Sequence, residues 1–261
     1  MDDGAVLRGT RYADAIPVLV YQTQPEEGAE GQMRRARWLH YNVYSVPWRT
    51  SEILDVIVRR TGTPGLEGLR VLDLGCGVAT MALNLALESM SPLVVGLDRD
   101  HAALVLAARA TDALHVDRLK LIEGDLARAP LAQGSFDLIL SYDSFYYAGI
   151  QREEALPGLH GLLREGGTLI IKVVNRLFPP YGILSAPGVR HVAGRMLRRS
   201  EAAAGRGFGF VQPAAPTSLG LAADFRRAGF EDVVVYDRLT RRDRAWARWF
   251  MPDVIVAGKH A

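Results

Sequence analysis

Cysteine is nearly absent from this chain of 261 residues, in which Cys76 stands alone. A single cysteine excludes a disulfide within the chain and a zinc site built on a cysteine cluster. No apolar run approaches the ~20 residues that span a bilayer, and the N-terminus lacks the basic and apolar regions of a signal peptide. We therefore expect a cytoplasmic protein without a metal centre.

A strong net charge is also lacking. The 31 basic and 29 acidic residues leave a formal charge of +2, too small by itself to indicate a nucleic-acid partner. Arginine is nevertheless concentrated in the C-terminal third, at 195–199, 226–227 and 238–248. A solvated basic face is the simplest interpretation, with an acidic substrate or an anionic membrane surface as alternatives.

The remaining composition, 49% hydrophobic and 23% charged, is that of a globular α/β protein with a sizeable core. From Leu69 onward, strand-like and helix-like patterns alternate, which predicts a parallel sheet with crossover helices. The predicted strands are Leu69–Leu74, Leu93–Asp98, Leu119–Glu123, Phe136–Ser141, Thr168–Val174, Asp232–Tyr236 and Asp253–Ala257. The predicted helices between them are Thr80–Glu88, His101–Ala113, Arg152–Leu163 and Ser218–Ala228. An apolar helix is also predicted ahead of the sheet, from Glu52 to Arg60, where Thr61-Gly62-Thr63-Pro64 would stop it.

The last two predicted strands break this alternation. Only about fifteen residues separate them, which favours a hairpin or a short helix over a full crossover. We therefore expect an antiparallel final strand.

The first predicted strand leads into the most informative motif. It ends in Asp73 and is followed by Gly75-Cys76-Gly77 and a helical pattern, which is typical of a strand, a tight turn and a helix that bind a nucleotide cofactor. A dinucleotide fingerprint would need glycine at Thr80. The Asp73 carboxylate would repel a pyrophosphate but suits the ammonium group of an amino acid.

In these residues the segment resembles motif I of the class I S-adenosylmethionine (SAM) methyltransferases, an acid and an apolar residue before Gly-x-Gly-x-Gly. Ala79 replaces the third glycine, a tolerable change if that residue is already helical. The second strand ends in Asp98-Arg99-Asp100, where Asp98 would accept the ribose hydroxyls and Asp100 would cap the next helix.

Further segments continue the resemblance in the family's order. Gly124-Asp125-Leu126 matches the adenine-binding pattern, and 162–171 matches the helix end, glycine turn and fifth strand. Ser141 to Tyr147 would form the floor of the acceptor site. The implied cofactor-binding residues are Asp73, Gly75, Cys76, Gly77, Asp98, Arg99, Gly124, Asp125, Leu126, Ser141 and Tyr142.

The resemblance implies an in-line displacement of a methyl group, for which alignment supplies most of the catalysis. A base is needed only where the acceptor must lose a proton, and the candidates are His40, Asp143, Tyr146 and Tyr147. Each has an alternative role: His40 as a packed or surface residue, Asp143 as a turn cap, and the tyrosines as pocket walls. Cys76 is not expected to be a nucleophile, because no histidine is placed to activate it.

We therefore expect a Rossmann-like sheet of seven strands whose seventh, antiparallel strand is implied by the resemblance. Residues 1–65 resemble the cap of small-molecule methyltransferases, and 66–261 form a SAM-binding domain with a lid insertion at 175–217. The expected function is methyl transfer from SAM to a small, largely apolar acceptor, at oxygen more than at nitrogen or carbon, with S-adenosylhomocysteine (SAH) as product and no nucleic-acid partner.

Two alternatives stay open. One is a SAM-binding lyase or cyclase that transfers no methyl group. The other is a membrane-associated protein, including a lipid or quinone methyltransferase, in which 190–199 and 238–248, with Trp246 and Trp249, dock on anionic lipid.

Overall fold

The computed structural model describes residues 10–22, 32, 36, 39–145, 152–175, 217–237 and 253–260. Its strands are β1 (Arg70–Leu74), β2 (Leu93–Asp98), β3 (Leu119–Glu123), β4 (Phe136–Tyr142), β5 (Leu163–Val174), β6 (Glu231–Asp237) and β7 (Asp253–Lys259). Its helices are α1 (Thr10–Gln22), α2 (Val46–Thr61), α3 (Thr80–Glu88), α4 (His101–Ala113), α5 (Arg152–Leu162) and α6 (Ser218–Arg227). A π-helical turn, His40–Tyr44, precedes α2, and a 3₁₀ turn, Leu126–Arg128, follows β3.

The strands form one sheet in the order β3-β2-β1-β4-β5-β7-β6. The first five strands pair in parallel, whereas β7 is antiparallel to both β5 and β6. The predicted sheet of seven strands with an antiparallel last strand is therefore confirmed. The predicted lid, 175–217, and the arginine-rich segment 238–248 lie outside the described residues apart from Asn175 and Thr217.

One strand differs from the prediction. β5 begins at Leu163 rather than Thr168, because Leu163 pairs with Phe136 before the register shifts and Thr168 pairs with Leu138. The predicted glycine turn at 166–167 therefore forms an irregularity within the strand, not a connection before it.

Alternate residues of each central strand supply two separate cores, since side chains in a strand point to opposite faces. Val71 and Leu138 pack in one core with α1, α2 and α3, while Leu72 and Ile139 pack in the other with α5 and α6. The sheet is thus buried between two helical layers. No helix among the described residues is long and apolar enough to cross a membrane.

Polar contacts hold the N-terminal helices together and join them to the sheet. The fully buried Tyr12 donates its hydroxyl to the Val43 carbonyl at 3.2 Å. The buried Arg60 donates to the side chain and the carbonyl of Asp232, both at 2.8 Å, and so joins α2 to β6. α2 ends, as predicted, at Gly62, which adopts the left-handed conformation.

α2 begins earlier than the helix predicted from Glu52. Its first residue is Val46, and Pro47 occupies the first turn, where proline is favoured because its missing N–H has no helical partner there. Six more residues therefore belong to the helix, and Arg49 is one of them.

The turn between β1 and α3 is left-handed at three residues. Gly75, Gly77 and Ala79 have φ of 68°, 56° and 53°. The condition under which alanine would replace the third glycine without cost is not met, because Ala79 is not helical but forms the left-handed N-cap of α3. The third glycine of the family motif would adopt this conformation without the Cβ crowding that alanine incurs.

The two glycines of this turn allow a matched stability test. A Cβ on Gly75 would lie 2.4 Å from the Ser144 Cβ, whereas a Cβ on Gly77 would have nothing within 4 Å. Gly77→Ala should lower the free energy of unfolding by about 1–2 kcal/mol, because alanine is strained in the left-handed conformation. Gly75→Ala should lower it by a further ~1–3 kcal/mol, because its Cβ is also overpacked against Ser144. Urea unfolding of both variants without ligand measures the difference, and equal losses would contradict the close contact with Ser144.

Candidate active site

A cavity of about 350 Å³ opens where β1, β2 and β4 end and α2 crosses above them. This is where ligands bind in open α/β sheets. Ten of the residues selected from the sequence line it, namely Asp73, Gly75, Cys76, Gly77, Asp98, Arg99, Asp125, Leu126, Tyr142 and Asp143. The N-terminal segment adds Tyr41, Asn42 and Arg49.

Other predicted site residues lie elsewhere or are not described. Ser141 is buried beside the cavity wall, with its Oγ 2.7 Å from that of Ser144. Gly124 packs closely, since an added Cβ would lie 2.8 Å from Pro130. His40 is exposed and is not part of the described lining. Tyr146 and Tyr147 lie outside the described residues.

Asp98 holds the glycine turn. Its Oδ2 accepts the Gly77 N–H at 2.7 Å, and its Oδ1 accepts the Asp100 N–H at 2.9 Å. The N–H groups of Gly75 and Cys76 both donate to the Leu97 carbonyl, at 2.8 and 3.2 Å. The carboxylate at the end of β2 therefore fixes the backbone around the cavity, a role that the sequence did not indicate.

Two further acids of the lining act as caps. Asp100 accepts the Ala103 N–H at 3.1 Å and caps α4, as predicted. Asp125 accepts the Ala127 N–H at 2.9 Å and caps the short turn after β3. Both carboxylates are thus held at the cavity edge by backbone donors.

Two opposite charges meet at the end of the cavity that β1 and α2 share. Asp73 is 3% exposed and its Oδ2 has no hydrogen-bond partner, while Arg49 is 6% exposed and its Nε and Nη2 have none. Burial raises the pKa of Asp73 to about 7, although the Arg49 guanidinium and the Ala82 N–H lower it. Buried charges without partners are costly unless a ligand completes them.

Sequence reasoning missed Arg49, although a signal was present. Arg49 lies on the face of α2 that carries Val46, Ile53 and Val56, all buried. An arginine at the i+3 position of an apolar stripe is seldom buried without a partner. Because α2 was predicted to start at Glu52, this interruption of its buried face went unnoticed.

Asp143 lies on the cavity wall immediately after β4, with a left-handed φ of 58°. The Lys172 Nζ donates to its two oxygens at 2.5 and 2.7 Å, and the Tyr41 hydroxyl donates to Oδ2 at 2.7 Å. Asp143 is therefore a fixed carboxylate, held by β5 on one side and by the N-terminal segment on the other.

Cys76 lines the cavity but is not activated. Burial, with the nearby Asp73 and Asp98 carboxylates, raises the pKa of its thiol well above the usual range. The thiol is therefore protonated near neutral pH, which agrees with the prediction that Cys76 is not a nucleophile.

Comparison with known proteins agrees with this geometry. Residues 66–191 match a family model described as a methyltransferase domain. These residues are a methyltransferase domain of the class I SAM-dependent type. The cofactor of such a methyltransferase is SAM, with SAH as its product.

Two curated relatives and one solved structure illustrate the likeness. The chain is 30% identical to an rRNA N(6)-adenosine-methyltransferase of Caenorhabditis elegans over 113 residues, which are 41% of this chain and 52% of that protein. It is 30% identical to a sterol 24-C-methyltransferase of Pneumocystis carinii over 102 residues, 39% of this chain and 26% of that protein. The chain thus spans about half or less of the curated relatives it matches.

The solved structure is a SAM-dependent methyltransferase from Aquifex aeolicus. The superposition covers 90% of this chain and 100% of the Aquifex aeolicus chain, with a TM-score of 0.57 and 13% sequence identity. At this identity the likeness shows the shared fold.

The residues of the cavity fit SAM. Asp73 offers an oxygen without a partner to the ammonium of the methionine moiety, and Arg49 offers two nitrogens without partners to its carboxylate. Gly77 faces open space, so the cofactor can approach the backbone of the turn.

The pKa of Asp73 predicts that cofactor binding depends on pH. The ammonium group is bound by the ionised carboxylate, and with a pKa of about 7 the ionised fraction falls about tenfold between about pH 8 and about pH 6. The Kd for SAH, measured by calorimetry, should rise by about that factor over this range. Asp73→Asn should bind SAH weakly at every pH, and a flat profile in the wild type would contradict the pairing.

Proposed function

We propose that this protein transfers a methyl group from SAM to a small, largely apolar acceptor, with oxygen as the favoured acceptor atom. The observation that carries this proposal is a pair of buried opposite charges on the cavity wall, Asp73 and Arg49, each with polar atoms that have no hydrogen-bond partner. The pair is complementary to the zwitterionic end of SAM. The sterol methyltransferase among the relatives supports a small apolar acceptor.

The cofactor supplies an electrophilic methyl group on a sulfonium, so the chain need only bind, orient and exclude water. Asp73 would accept from the ammonium group and Arg49 would donate to the carboxylate. Asp98 would meet the ribose, and Asp125 and Leu126 the adenine, at the opposite end of the same cavity.

Among the candidate bases, Asp143 lines the cavity. We propose that it accepts the proton of an alcohol or phenol acceptor. Its oxygens already face Lys172 and Tyr41, so the carboxylate is oriented before an acceptor arrives. A general base must lie within hydrogen-bond reach of the proton that it accepts, and a carboxylate fixed on the cavity wall can meet this requirement.

The proposed reaction is tested with SAM that carries a labelled methyl group. We expect transfer to at least one member of a panel of sterols, phenolic quinone precursors and fatty acids, and none to ribosomal RNA. Asp98→Ala should lower kcat/KM by about 10- to 100-fold, since hydrogen bonds of a charged group are lost. The control variant Asp112→Ala, at an exposed position of α4, should leave it unchanged.

Three outcomes would contradict the proposal. Transfer of the label to RNA and to no small molecule would show that the acceptor is RNA and not a small apolar molecule. Binding of SAM with conversion of an acceptor but no transfer of label would indicate a lyase or cyclase. Equal loss of activity in the Asp98 and Asp112 variants would dissociate activity from this cavity.

A further inference from the structure

Two tyrosines enclose the buried guanidinium of Arg49. The Arg49 Cζ lies 4.7 Å from the centroid of the Tyr41 ring and 5.5 Å from that of the Tyr142 ring. Both distances lie within the range of cation–π attraction, which is strongest where water is excluded. Tyr41 precedes α2 and Tyr142 ends β4, so the guanidinium is held from both sides of the cavity.

Each tyrosine hydroxyl is in turn bound to a carboxylate across the boundary between α2 and the sheet. Tyr41 donates to Asp143, at the end of β4, at 2.7 Å. Tyr142 donates to Glu52, which is 3% exposed and lies on α2. The two hydrogen bonds cross the boundary in opposite directions, and each fixes the plane of one ring.

Lys172 completes this arrangement from β5. Its ammonium binds both oxygens of Asp143, lies 3.5 Å from Asp253 and is 4.9 Å from the centroid of the Tyr142 ring. Lys172 is 5% exposed. A buried lysine with these contacts orients both the carboxylate that binds Tyr41 and the ring of Tyr142.

We propose that Tyr41 and Tyr142 are positioning residues that hold the Arg49 guanidinium ready to bind the carboxylate of the cofactor. This inference rests on the proposed use of SAM. Arg49 is carried by a helix outside the sheet, and its long side chain would otherwise lose conformational freedom on binding. Because the two rings and their carboxylates already hold Arg49, its side chain loses this freedom when the protein folds. The ligand then binds a guanidinium that is already ordered.

The test compares two ligands that differ only at the methionine end. SAH carries the amino and carboxyl groups, whereas 5′-methylthioadenosine carries the nucleoside alone. Arg49→Met should raise the Kd for SAH about 10- to 100-fold and leave that for methylthioadenosine unchanged. Tyr41→Phe and Tyr142→Phe keep the rings but lose the hydroxyl contacts, and each should raise the Kd for SAH about 3- to 10-fold.

A double-mutant cycle separates positioning from general structural damage. In the Arg49→Met background, neither tyrosine substitution should weaken SAH binding further. Tyr44→Phe is the matched control, since Tyr44 lies on the same segment and is 50% exposed. The Kd of this variant for either ligand should equal the wild-type value.

Defined results would overturn the proposal. It fails alone if wild type binds both ligands and the tyrosine variants weaken methylthioadenosine as much as SAH, or if their effects persist in the Arg49→Met background. It also fails if Arg49→Met leaves the Kd for SAH unchanged, as it would if Arg49 binds a carboxylate of the acceptor; that result removes the role of Arg49 from the proposed function but leaves the use of SAM intact. Absence of binding of either ligand by the wild type would overturn the cofactor assignment and this proposal together.

Discussion

The cavity depends on the carboxylate of Asp98, which holds the turn between β1 and α3. Its two oxygens accept the N–H groups of Gly77 and Asp100, so one side chain at the end of β2 fixes the turn beside it and the start of α4. The N–H groups of Gly75 and Cys76 are held by the Leu97 carbonyl, whereas the N–H of the left-handed Gly77 is held by the Asp98 side chain. Without Asp98, the Gly77 end of the turn, where the cofactor can approach the backbone, would lose this contact.

The second half of the cavity comes from the N-terminal segment. Arg49 contributes a buried positive charge to a cavity that the buried carboxylate of Asp73 also lines. Both side chains have buried polar atoms without a hydrogen-bond partner, which destabilises the unliganded protein. The same two charges are complementary to the ammonium and carboxylate of a zwitterion. The groups that lower the stability of the unliganded protein are therefore those that would bind the ligand. The polar contacts of Tyr12, Arg60, Tyr41 and Tyr142 secure the N-terminal helices against this cost.

Much of the fold could be predicted because it follows from local patterns. The strand limits other than the start of β5, the caps at Asp100 and Gly62, and the antiparallel β7 follow from periodicity, cap chemistry and connection length. The cofactor half of the lining was also predictable, because its residues lie in short motifs next to strands. The predicted roles of Tyr146 and Tyr147 concern positions outside the described part of the chain.

The rest depends on contacts between distant residues. Arg49 and Asp73 come to line the same cavity through the packing of α2 against α3 and β5, which no local pattern encodes. The conformation of Ala79 is set by the turn as a whole, so a residue with ordinary helix propensity becomes a left-handed cap. The pairing of Lys172 with Asp143 likewise requires β4 and β5 to be aligned.

The structure of the protein with bound SAH would test the central claim most directly. We predict that the SAH carboxylate lies within hydrogen-bonding distance of Arg49, about 2.7–3.2 Å, that its ammonium group contacts Asp73, and that the ribose lies at Asp98. The account would be contradicted by SAH whose amino-acid end points away from α2, or by SAH bound outside the cavity between α2 and the ends of β1, β2 and β4.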